Sequence, residues 1–79
     1  MADFTRFIRV DGKNLEFRFS LIEHPESPSY FVGVMAHNHK SYAFNMKKTA
    51  EGWRIVTAPL PPDWIMAVED ELSEAIERK

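Results

Sequence analysis

YFVGVMAHNHKSYAFNM, residues 30–46, reads as two strands folded about a polar tip, and the number of residues in that tip decides which side chains meet in a core. Side chains alternate across a strand with period 2, so a one-residue shift in pairing sends every side chain of the strand to the other face. Aromatic and branched residues populate both arms, about 30–36 and 41–48, as half-buried strands require. The most symmetric pairing leaves His37 to Lys40 as the tip and sets Met35 opposite Tyr42, Gly33 opposite Phe44 and Phe31 opposite Met46. An aromatic ring over a strand glycine favours that register. The opposite face then carries Tyr30, Val32, Val34, Ala36, Ser41, Ala43, Asn45 and Lys47.

Upstream, FTRFIRV (4–10) and LEFRFSLI (15–22) flank Asp11-Gly12-Lys13-Asn14. Asp-Gly is a strong hairpin signal because a type I′ turn needs positive φ at both central residues. Its parity puts Phe4, Arg6, Ile8 and Val10 with Leu15, Phe17, Phe19 and Leu21 on the more apolar face. Thr5, Phe7, Arg9, Glu16, Arg18, Ser20 and Ile22 take the other. Pro25 and Pro28 lack an amide donor and mark the stretch between the hairpins as a loop.

Downstream, Thr49 to Gly52 turns the chain into a fifth strand, Trp53 to Thr57, and Pro59, Pro61 and Pro62 end the sheet. From Pro62 to about Arg78, Trp64, Ile65, Val68, Leu72, Ala75 and Ile76 recur at helical spacing. The expectation is an α+β fold, a single domain over 1–79. A five-stranded antiparallel meander (about 4–57) carries one C-terminal amphipathic helix (about 62–78) across one face.

Composition narrows the function classes. A chain of 79 residues without cysteine has neither disulfides nor thiolate zinc ligands, so association is the remaining aid to a small core. The start, MADFTRFIRV, lacks the apolar run of a signal peptide, and no stretch is long and apolar enough to span a membrane. A cytoplasmic setting without membrane contact is expected. Residues 1–60 hold eight Lys or Arg against six Asp or Glu, and residues 61–79 hold two against six. The body is mildly basic and the tail acidic.

The histidines invite a metal reading, since residues i and i+2 on a strand point the same way. Zinc needs three or four ligands, yet no Asp or Glu occurs between Ser27 and Ala50, where the charges are Lys40, Lys47 and Lys48. No metal, cofactor or catalytic residue is assigned. His37, His39 and Lys40 instead form a hairpin tip suited to contacting an anion. Carboxylates Glu69, Asp70, Glu71, Glu74 and Glu77 fall in the later turns of the expected helix, where the dipole disfavours them, and Met66 falls outside its apolar stripe.

One helix covers one sheet face, so the other face is the candidate interaction surface: Phe7, Arg9, Arg18, Tyr30, Val32, Val34, Lys47 and Arg54. Its β-branched content suggests a non-enzymatic module that homodimerises through this face and binds a further protein, because monomers rarely expose such patches. The alternative is single-stranded nucleic-acid binding, with Arg9, Arg18, Lys47 and Arg54 along phosphates and Phe7 and Tyr30 under bases. Against it stands a pI of about 5.9, well below that of dedicated nucleic-acid binders.

Overall fold

The computed structural model describes residues 3–23, 27–36 and 38–78. Five strands, β1 (Phe4–Val10), β2 (Lys13–Ile22), β3 (Ser29–Met35), β4 (Ser41–Thr49) and β5 (Gly52–Ile55), form one antiparallel sheet in sequential order. Two helical segments follow, α1 (Asp63–Met66) and α2 (Glu69–Glu77). The α+β meander expected from the sequence is therefore the fold. No described helix is long and apolar enough to cross a membrane.

The first hairpin closes as its turn chemistry requires. Asp11 (φ 51°) and Gly12 (φ 78°) are both left-handed, and Val10 pairs with Lys13 across a two-residue loop, the arrangement that matches strand twist. Its apolar face carries Ile8, Leu15, Phe17 and Phe19 into the core, with Phe4, Val10 and Leu21 partly buried around them.

The second hairpin departs from the symmetric reading by one residue. Ala36 N–H donates to Lys40 O (2.9 Å) and His39 N–H to Ala36 O (3.0 Å), with His39 left-handed at φ 66°. The loop is thus three residues rather than four, the length at which a left-handed residue closes the turn. Met35 pairs with Ser41, Gly33 with Ala43, Val32 with Phe44 and Tyr30 with Met46. Strand β3 is consequently turned over. Tyr30, Val32 and Val34 enter the core beside Phe17, Phe19, Phe44 and Met46, while Phe31, Gly33 and Met35 face away. This packing is the better one physically, because branched Val32 sits between Phe19 and Phe44 in paired positions instead of leaving a glycine there.

The expected single helix is broken at Ala67–Val68. Val68 takes φ −105°, ψ 15° and its N–H bonds to Ile65 O at 3.1 Å, three residues back rather than four. The tighter turn buries Val68 itself and leaves Leu72, Ser73, Ala75 and Ile76 buried along α2. It also corrects the reading of the acidic run. Glu69, Asp70 and Glu71 occupy the first turn of α2, where the positive end of the dipole favours carboxylates. Met66 is half-buried against the core rather than exposed.

Helix α2 runs beside β5 and seals that edge of the sheet. The Trp53 N–H donates to Ser73 Oγ (2.9 Å) and the Ile55 N–H to Glu69 Oε2 (2.8 Å). Alternate strand residues lie about 6.6 Å apart and residues four apart on a helix about 6 Å, so the two donors and two acceptors match in spacing. Gly52 (φ 104°) admits the close approach, because a Cβ there would lie 2.9 Å from Ser73 Oγ. Lys48 with Glu77, and Arg54 with Asp70 (2.7 Å) and Glu69 (3.6 Å), tie the same seam from both sides. Ser73→Ala leaves the Trp53 amide buried without an acceptor. It is expected to cost about 1–2 kcal/mol in urea unfolding, whereas Ser73→Thr, which keeps the oxygen, costs less.

Candidate interaction face

The uncovered face follows from the registers. Across the strands, Phe7 pairs with Glu16, Thr5 with Arg18 and Gly33, and Ser20 with Phe31 and Asn45, in successive rows. The next row runs Ile22, Ser29, Lys47, Arg54. Three large apolar side chains stand out from this face: Phe7 is 66% exposed, Met35 55% and Phe31 44%. Ile22 and Val56 are also exposed at its far side. The row Arg18, Gly33, Ala43 has almost no side-chain bulk beyond Arg18, so a shallow trough runs over Gly33 and Ala43. Its walls are Glu16, Arg18, Met35 and Ser41, and Phe31, two residues before Gly33 on β3, flanks it on the other side.

Of the residues the sequence places on this face, Phe7, Arg9, Arg18 and Lys47 are there, all exposed. Tyr30, Val32 and Val34 are not. They are 1%, 0% and 5% exposed in the core, because the three-residue tip inverts β3. The contiguous β-branched patch expected to support a face-to-face homodimer therefore lies inside the protein, and Phe31 and Met35 stand in its place. Tyr30 is held by its ring, edge-on to Trp53, Phe19 and Phe4. Its hydroxyl has no hydrogen-bond partner among the described residues.

Arg54 lies in the face's last row but its charge is engaged elsewhere. Its guanidinium donates to Asp70 Oδ1 and to the Glu51 carbonyl (2.8 Å). The hydrogen bond to Asp70 raises its pKa above the ordinary guanidinium value, with desolvation opposing and the charges of Asp70, Glu69 and Glu51 adding. Among the described residues, the cations of the face without an ion-pair partner are thus Arg9, Arg18 and Lys47, against Glu16.

At the hairpin tip, His39 and Lys40 are exposed, and His37 lies outside the described residues. Asn38 Oδ1 accepts from the Lys40 N–H at 3.0 Å, a side-chain turn contact typical of asparagine. The Lys40 ammonium sits 5.9 Å from the centre of the Tyr42 ring, which in turn meets Trp64 edge-on. Lys40 thus leans toward the helix-covered side and does not extend the cationic surface of the open face.

The exposed residues of this face that alternation alone missed are Phe31 and Met35. The sequence signal that could have found them is the pair Val32 and Val34, branched side chains suited to packing between aromatic strands. Comparison with protein-family models, with curated proteins and with solved structures finds no match to this chain.

The inversion of β3 has a measurable signature. Phe31→Glu, on the open face, is expected to change unfolding free energy by no more than about 0.5 kcal/mol. Val32→Glu, one residue along, buries a carboxylate and is expected to cost more than about 3 kcal/mol. Comparable effects of the two in chemical denaturation would refute the register.

Proposed function

We propose that this chain is a non-enzymatic interaction module whose uncovered sheet face docks a segment of another protein. The observation that carries the reading is the exposure of Phe7, Phe31 and Met35 on the face that no helix covers. Large apolar side chains grouped on an open surface mark contact sites, and aromatic residues, Met and Arg are the types enriched at protein interfaces. The trough over Gly33 and Ala43 has the shape to receive one bulky side chain between Phe31 and Met35, with Arg18 beside it for a carboxylate. The partner's chemistry follows: an aromatic or branched apolar residue close to Asp or Glu, which also suits Arg9 and Lys47.

Panning a phage-displayed random peptide library on the immobilised protein tests this. Enriched peptides should combine apolar and acidic residues, and should lose at least about tenfold in affinity for a Phe31→Glu, Met35→Glu double variant. Peptides that bind the double variant equally well, or no enrichment at all, would reject the face as the docking surface.

A second reading rests on the interleaving of Arg9, Arg18 and Lys47 with Phe7 and Phe31. Cations along phosphates with rings under bases describe a single-stranded nucleic-acid platform. It predicts that a labelled oligothymidylate gains anisotropy on titration at low ionic strength and loses it steeply as salt rises, since neutralised phosphates release counterions. Unchanged anisotropy at low salt rejects it.

A further inference from the structure

The two edges of the sheet are treated differently. On β5 the outward amides of Trp53 and Ile55 are capped by Ser73 and Glu69 of α2. On β1 no described element is paired beyond the strand. The two-residue turn determines which groups are left over. In such a hairpin the residues flanking the loop, Val10 and Lys13, exchange hydrogen bonds, and bonded pairs then alternate along the ladder. Phe4, Arg6, Ile8 and Val10 therefore point their amides and carbonyls at β2. Those of Thr5, Phe7 and Arg9 point outward from the sheet, a row of groups without a partner among the described residues, of the kind that templates another strand.

Beside this edge runs a groove of about 280 Å³ between β1 and the far side of α2, lined by Arg6, Phe7 and Ile8 on one wall and Glu71, Glu74 and Arg78 on the other. Glu74 is bridged to Arg78 at 3.3 Å. Among the described residues neither Arg6 nor Glu71 has an ion-pair partner.

We infer that the free edge takes β1 of a second copy of this chain, antiparallel and centred on Phe7, joining two sheets into one. The register is self-selecting. The outward groups belong to Thr5, Phe7 and Arg9, so a two-fold axis at Phe7 makes Phe7 face Phe7 and Thr5 face Arg9 of the second copy, with about six new backbone hydrogen bonds. It pairs all seven residues of β1, Phe4 with Val10 and Arg6 with Ile8 included, and sets no like charges opposite one another. A two-fold axis at Arg6 would oppose two guanidiniums, which a cross-strand site disfavours.

On the helix side, the same register places Arg6 of the second copy over Ile8, beside Glu71 and Glu74. Each copy gives the other one cation and two carboxylates, so the contact is isologous and closes at two. On the uncovered side the two Phe7 rings meet at the centre, and the two docking faces become one continuous surface. The dimer contact shares Phe7 with the docking face of the proposed function, but it rests on the outward backbone groups of β1 and stands whether or not that reading holds.

Light scattering of the full chain over rising micromolar concentration, with amide hydrogen exchange on the same samples, tests the inference. The expected mass is that of two chains, and the Thr5, Phe7 and Arg9 amides gain at least about tenfold protection as the dimer forms. Arg6→Glu places a carboxylate against Glu71 and Glu74 of the second copy and is expected to weaken association at least about tenfold. Adding Glu71→Lys and Glu74→Lys to Arg6→Glu should restore it, a rescue that a merely misfolded variant would not give. Phe31→Glu should leave the mass unchanged. A monomeric wild-type mass, a dimer in which those three amides stay unprotected, or a dimer abolished by Phe31→Glu and indifferent to Arg6→Glu would each overturn the edge pairing.

Discussion

The fold turns on a single left-handed residue, His39 at φ 66°. By closing the second hairpin in three residues it makes the loop odd, and an odd loop reverses the parity of β3 relative to an even one. Every property of the two sheet faces follows. Tyr30, Val32 and Val34 fill the space between the first hairpin and β4, with Phe17, Phe19, Phe44 and Met46 around them. Phe31 and Met35 are left on the uncovered face, beside Arg18 and along a trough over glycine and alanine. Were the loop even, Gly33 would lie in the core opposite Phe44, and the open face would carry valines where it now carries an aromatic ring and a thioether.

The second constraint is the match between helix and strand along β5. A sheet of five strands has two edges, each with backbone groups that need water or a partner. Here α2 supplies Ser73 and Glu69 at a spacing that meets Trp53 and Ile55. The break at Val68 sets the helix phase that makes this possible while burying Leu72 and Ile76. Glu69 serves three purposes at once, as dipole partner, amide acceptor and counter-charge to Arg54. With β5 closed in this way, the sheet is one-sided: among the described residues, the edge that no element pairs or caps is β1, next to Glu71 and Glu74 of α2.

Much of this architecture was legible in the residues. Asp11-Gly12 specified the first hairpin because two positive φ values admit few other residues, and the core face of β1 and β2 followed by counting. Phe44 and Met46 on β4, and Trp53 and Ile55 on β5, also fell on the core face by alternation. The apolar spacing from Trp64 to Ile76 announced a covering helix. The face of strand β3 was not legible in the same way, because FVGVM is apolar on both faces and alternation alone does not orient it, and histidine is a less obvious left-handed residue than glycine. The helix break was invisible for a related reason: Ala67 and Val68 carry no breaker, and the kink arises from tertiary packing. Arg54 looked like a free cation for lack of any local sign that Asp70, sixteen residues away, would engage it. Turn chemistry is written locally, whereas face choice and edge sealing are decided by what comes to lie opposite.

The orientation of β3 underlies the trough, the exposed apolar group and the candidate partner chemistry together, and hydroxyl-radical footprinting of the native chain reads it directly. The account predicts rapid modification of Phe31 and Met35, with Tyr30, Phe44 and Met46 protected until the protein unfolds, because the former are exposed and the latter at most 1% exposed. Rapid modification of Tyr30 with protection of Phe31 and Met35 would contradict it, and would restore the four-residue tip.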